Sequence, residues 1–129
     1  MKVIKADDKT DGFVTRVEFD NGLVLESDFE PDCCAWNFLD FEQLHEGREF
    51  PTMTGEQFLE AITRHEDGFS VMDSYNTPAW VQARSHQNGY YSTGVDLVVQ
   101  YNGEVVTPPR DPNDWGHAHM FDGELEEYY

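Results

Sequence analysis

Three Asn-Gly pairs, at 21–22, 88–89 and 102–103, punctuate the chain, and strand-forming residues flank each one. Asn and Gly tolerate positive φ, so such a pair between alternating runs marks a tight hairpin. A chain punctuated this way folds through antiparallel strand pairs. For the first pair the side-chain alternation fixes a register. FVTRVEF (13–19) puts Phe13, Val17 and Phe19 on one face, and LVLESDF (23–29) does the same with Leu23, Leu25 and Phe29. A two-residue loop at Asn21-Gly22 would set Val17 against Glu26. A three-residue loop, Asp20-Asn21-Gly22, sets Phe19 against Leu23, Val17 against Leu25 and Phe13 against Phe29. Apolar then meets apolar, with Gly22 left-handed in a bulge.

The second pair invites the same reading. AWVQARS (79–85) and YSTGVDLVVQY (91–101) flank Gln87-Asn88-Gly89. A three-residue loop there pairs Val81 with Val95 and Ala79 with Leu97. The third, Asn102-Gly103, turns a strand at 95–100 into a short one at 104–107, which Pro108 and Pro109 end.

Between the hairpins lies one helix signal. Thr54 with Gln57 three residues on is a capping-box pattern, and Phe58, Leu59, Ile62 and His65 follow at helical spacing. This predicts a helix ending near Asp67-Gly68. GFSVMD (68–73) reads as a strand, and AWNFLDFEQL (35–44) as a short strand followed by a turn. The expected fold is α+β: a single domain over 1–129, an antiparallel β-meander sheet of about five to seven strands with one amphipathic helix packed on one face. Residues 108–129 form a polar, acidic tail, whose Trp115, Met120, Phe121, Tyr128 and Tyr129 are expected to pack partly on the body or touch a partner.

Charge sets the expected class of partner. Asp and Glu number 26 against 8 Lys and Arg, for a formal charge of -18. Such a chain is repelled by nucleic acid and anionic membrane and drawn to basic surfaces. Nine of the acids, Glu18, Asp20, Glu26, Asp28, Glu30, Asp32, Asp40, Glu42 and Glu46, fall in a stretch without Lys or Arg, and six more follow Arg110. This is either a solvated, solubilising surface or a functional acidic face. No run approaches the roughly 20 apolar residues of a membrane span. The N-terminus MKVIKADDKTDG lacks the apolar core of a secretion signal, so a cytoplasmic location is expected.

Signatures of catalysis are sparse. There is no G-x-S-x-G, no P-loop and no dinucleotide fingerprint. Paired carboxylates such as Asp7-Asp8, Glu66-Asp67 and Glu126-Glu127 are expected by chance in so acidic a chain. Cys33 and Cys34, the only cysteines, are adjacent, which strains a mutual disulfide and leaves no third thiol for a framework. Their acidic neighbours disfavour the thiolate that a nucleophile requires. Two readings stay open. The pair packs as small hydrophobes that seat the first hairpin against Trp36 and the helix. Alternatively, Cys33 and Cys34 join His117 and His119 of WGHAHM, with Asp32 and Asp122 near, in a zinc or ligand site, although C-C is not knuckle spacing. In HQNGYYSTGVD (86–96) the residues serve a turn and a strand, and an exposed tyrosine beside His86 would make a contact patch. No cofactor and no enzymatic activity are expected.

Two of these motifs together, Asp-Cys-Cys at 32–34 after the first hairpin and Asn-Gly-Tyr-Tyr-Ser at 88–92, resemble a family of short uncharacterised phage and bacterial proteins. The resemblance spans roughly 13–35 and 80–99. Where that family has a histidine three residues before the Asp and a glutamate after the second Cys, this chain has Phe29 and Ala35. The resemblance implies a phage or mobile-element origin and carries no activity. Joined to the charge, it points to an anti-defence inhibitor, of the anti-CRISPR or DNA-mimic kind. Such a protein would occupy a basic nucleic-acid-binding surface on a host CRISPR or restriction nuclease complex. The acids from Glu18 to Glu46 would make the contacts, with Trp36 and Trp115 as anchors. The alternatives are the Cys–His module and an accessory or structural phage protein.

Overall fold

Apolar residues at every second position draw the strands into two layers over one core. The computed structural model describes residues 1–10, 13–28, 35–65, 67–87, 95–107 and 126–127. In chain order the elements are β1 (Val3–Thr10), β2 (Phe13–Phe19), β3 (Leu23–Asp28), β4 (Ala35–Asp40), α1 (Gly55–Ala61), β5 (Thr63–His65), β6 (Gly68–Met72), β7 (Pro78–Gln87), β8 (Asp96–Tyr101), β9 (Glu104–Val105) and β10 (Glu126–Glu127). The fold is α+β, mostly antiparallel strands with one short helix. The strands divide between two sheets. The first runs β1-β2-β3-β8-β9; the second runs β10-β7-β6-β5, with β4 on the other edge of β7. Among the described strands only β10 lies parallel to its neighbour, pairing with Arg84 and Ser85 of β7.

The first hairpin forms as its alternation requires. Val17 pairs with Leu25, the Gly22 N–H donates to the Phe19 carbonyl at 3.3 Å, and Gly22 has φ +89°. The Asn21 side chain donates to the Met53 carbonyl at 2.8 Å, which ties the turn to the approach of α1. Phe29, the expected partner of Phe13, lies outside the described residues. The third Asn-Gly turn is also present: Asn102 and Gly103 both take positive φ, and Tyr101 pairs with Glu104.

The second pairing is different. The β7 and β8 runs are strands, but in separate sheets. Val81 pairs with Phe69 and Ala79 with Val71 on β6, while Leu97 pairs with Ser27 on β3. Alternation specifies which face of a strand is buried, and β6 satisfies β7 as well as β8 would have.

The helix is capped as expected. The Gln57 N–H donates to Thr54 Oγ1 at 3.2 Å, and the Thr54 N–H donates to Gln57 Oε1 at 3.0 Å. It is shorter than its apolar stripe suggests, ending at Ala61 with Ile62 as an extended cap. His65 is therefore on β5, opposite Gly68, and not on the helix. Phe58 reaches into the core, its ring edge-on to Phe69 at 6.2 Å. Inward residues of both sheets, including Val17, Leu25 and Val99 from the first and Leu39, Val71 and Val81 from the second, belong to one cluster.

The hairpin between β6 and β7 is held by a buried carboxylate. Asp73 Oδ1 accepts from the Tyr75 and Thr77 backbone N–H groups at 2.8 and 2.9 Å. Its Oδ2 accepts from both Nε and Nη2 of Arg48 at 3.2 and 3.0 Å. Arg48 also donates to the Gln43 carbonyl at 2.7 Å, so one guanidinium joins the 41–50 loop to the hairpin.

Candidate functional site

The outer face of the first sheet is built in rows that the strand registers define. Asp7 of β1 faces Arg16 of β2, Arg16 faces Glu26 of β3, and Glu26 faces Val98 of β8. The next row reads Lys5, Glu18, Val24 and Gln100. At the other end Asp28 stands opposite Asp96. Neighbouring strands are about 4.8 Å apart and same-face residues about 6.8 Å apart along a strand, so this is a close-set grid of charge. The described side chains give it four carboxylates, Asp7, Glu18, Glu26 and Asp96, against two cations, Lys5 and Arg16.

Arg16 organises the centre of the grid. Its Nη1 donates to Glu18 at 2.7 Å and to Asp7 at 3.3 Å. Burial lowers its pKa, but the hydrogen bond and charge of Glu18, with Glu26 and Asp7, outweigh that and leave it raised. Lys5 sits 3.6 Å from Asp7. Among the described side chains of this face the carboxylates outnumber the cations.

The nine-acid stretch does not form one contiguous face. Glu18 and Glu26 stand on this grid, and Asp28 occupies a register position at its end. Asp20 lies in the β2–β3 turn, accepting from the Lys2 backbone N–H at 3.0 Å. Glu42 and Glu46 are exposed in the loop after β4. Asp40 is not a surface contact: it is 2% exposed and accepts from Arg84 Nε on the second sheet at 2.9 Å. An aspartate at the end of a strand reads as solvated, but Arg84, diagonal to it across the β4–β7 pair, supplies the cation that lets it be buried. Glu30, Asp32, Cys33, Cys34, Trp115, His117 and His119 lie outside the described residues, and of Trp36 only its place on β4, opposite His86, is described. Asp7 and Asp96 were not anticipated, because each joins the grid only through the pairing of its strand.

Among the described residues no group of three His, Cys, Asp or Glu side chains is placed to hold a metal ion, and no helix is long and apolar enough to cross a membrane. Comparison with protein-family models, curated proteins and solved structures returns no match.

Proposed function

We propose that this protein is an acidic, phage-type inhibitor. It would act in the host cytoplasm by occupying a basic nucleic-acid-binding surface on a defence nuclease of CRISPR or restriction type. The supporting observation is the outer face of the first sheet, where Asp7, Glu18, Glu26 and Asp96 share one rigid grid in a chain of charge -18. Nucleic-acid grooves gain affinity by matching phosphates with Lys and Arg. A carboxylate grid fixed on a sheet competes for the same cations without an ordering cost, and its field speeds encounter.

The test is displacement of labelled duplex DNA from purified defence nucleases by the protein, across a salt series. The expected result is displacement and inhibited cleavage that weaken steeply with salt. The double variant Glu18→Lys, Glu26→Lys should lose at least about tenfold in potency, the equivalent of ~1.4 kcal/mol. Inhibition that is indifferent to charge reversal, or that survives molar salt, sinks the reading.

A further inference from the structure

Two Asn-Gly turns lie side by side at one end of the first sheet, and they are held very differently. Leu23 pairs with Tyr101 across β3 and β8, which brings Asn102-Gly103 beside Asn21-Gly22. The Asn102 N–H donates to the Gly22 carbonyl at 3.1 Å. A Cβ on Gly22 would run into Asn102 Oδ1, so the Asn102 carboxamide rests against bare backbone. The Asn21 carboxamide is fastened at both atoms. Its Nδ2 donates to the Met53 carbonyl at 2.8 Å, and its Oδ1 accepts from the Leu23 N–H at 3.3 Å. The Gly22 N–H is engaged as well, donating to the Phe19 carbonyl. In the other turn Asn102 and Gly103 are both exposed, and a Cβ on Gly103 would meet no atom within 4 Å. β9, which follows, is two residues long with both side chains in water, and it is the last described strand of its sheet.

We propose that Asn102 is a site of spontaneous deamidation in the folded protein, while Asn21 is protected. The chemistry consumes only water. The Gly103 nitrogen attacks Asn102 Cγ and gives up its proton. The Cγ–Nδ2 bond breaks, ammonia leaves, and a succinimide ring is closed. Water then opens the ring at either carbonyl. Opening at Cγ yields aspartate; opening at the backbone carbonyl carbon yields isoaspartate, whose main chain runs through Cβ and Cγ. Glycine permits the close approach because it has no side chain to obstruct it. The ring cannot close within the intact turn. Asn102 and Gly103 sit at φ +50° and +86°, the left-handed pair of a tight hairpin turn, and closure requires rotation about the Asn102 Cα–C bond. The cost of opening the turn therefore sets the rate. At Asn102, opening gives up the Gln100–Val105 and Tyr101–Glu104 pairs of an exposed hairpin end, where local opening is cheap. At Asn21, opening gives up both carboxamide hydrogen bonds and loosens β2 from β3, whose Val17 and Leu25 are in the core. Either product adds a carboxylate beside the β2–β3 turn. Isoaspartate also lengthens the backbone inside a two-residue turn, which should release β9.

This inference does not rest on the inhibitor reading, since it concerns the chain alone. The test ages the full chain at mildly alkaline pH and follows each Asn-Gly peptide by mass spectrometry. Isoaspartate is counted by labelling with an isoaspartyl methyltransferase, and a parallel sample in concentrated urea reports the rates without the fold. In urea, Asn21 and Asn102 should convert at similar rates. In the folded protein Asn102 should convert at least about tenfold faster than Asn21, with isoaspartate among its products. Three results would overturn the proposal. Asn102 could stay intact in the folded protein while converting in urea. The two sites could convert equally fast in the folded protein. Or the product at 102 could be aspartate without isoaspartate, which would mean direct hydrolysis of the carboxamide and no ring.

Discussion

Each outer face of this two-layered molecule is organised by one arginine, and the two arginines do different work. On the first sheet Arg16 is 22% exposed among carboxylates that are themselves partly exposed, Asp7 at 25% and Glu18 at 29%. On the second sheet the Arg84 side chain is similarly exposed at 20%, but the side chain of its partner Asp40 is only 1% exposed. The Arg84 guanidinium also lies 5.5 Å above the Phe13 ring, and Phe13 packs 5.1 Å from the fully buried Phe38. The first arginine moderates a surface that stays charged. The second closes a charge off from water. The contrast shows why charge totals along a chain say little about faces: burial of the partner decides whether an acid counts toward the surface.

The contrast breaks most visibly at Arg84. Arg84→Ala leaves Asp40 buried without its cation, a change that costs about 3 kcal/mol or more because the lone charge keeps its full desolvation penalty. Urea unfolding should show this loss with little dependence on salt, and Arg84→Ala, Asp40→Ala together should recover part of it. Equal losses in the single and double variants would mean that the pair is not coupled. Arg16→Ala is expected to cost less, on the order of 1 kcal/mol, because its partners are hydrated. That loss should grow at low salt, as the freed carboxylates repel over a longer Debye length. If Arg16→Ala and Arg84→Ala prove equally costly and equally salt-sensitive, the distinction drawn between the faces is wrong.

Local chemistry made some of this architecture legible. The Asp20-Asn21-Gly22 loop, the Thr54–Gln57 capping box and the Asn102-Gly103 turn each involve residues within a few positions of one another, so nearby sequence carries the whole signal. The Asn88-Gly89 pair carries the same signal, yet β7 and β8 part into different sheets. Their apolar faces are satisfied by β6 and β3, which no local pattern distinguishes from each other. β1 has no alternation to mark it as a strand, and its register with β2 shifts at Ile4 and again beyond Asp7. The helix overran in expectation because His65 keeps the 3.6-residue spacing. The chain instead turns extended at Ile62, and β5 closes against β6. The same limit applies to the site. Glu18 and Glu26 alternate visibly outward, but Asp7 and Asp96 reach the grid only through strand order.

The smallest expected effect concerns how the β6–β7 hairpin of the second sheet is held at its end. The Asp73 carboxyl is kept below the usual aspartate range chiefly by the Thr77 backbone N–H. The Tyr75 N–H and Arg48 act in the same direction, and burial opposes them. A carboxyl depressed in the folded state stabilises it above the unfolded pKa of about 3.9, and that contribution is lost as pH falls through the lower folded value. Asp73→Asn keeps an oxygen that can accept from Tyr75 and Thr77 but gives up the charge facing Arg48. Its melting temperature should therefore fall below wild type by a margin that is full at neutral pH. The margin should narrow as the solution is acidified past about pH 4, where the wild-type carboxyl begins to lose its advantage. The many other carboxylates are common to both proteins, so the difference between the two curves isolates Asp73. Parallel curves down to the acid limit would mean that its ionisation is not linked to folding. The β6–β7 hairpin that carries Met72, Pro78 and Trp80 would then be held by packing and backbone hydrogen bonds alone.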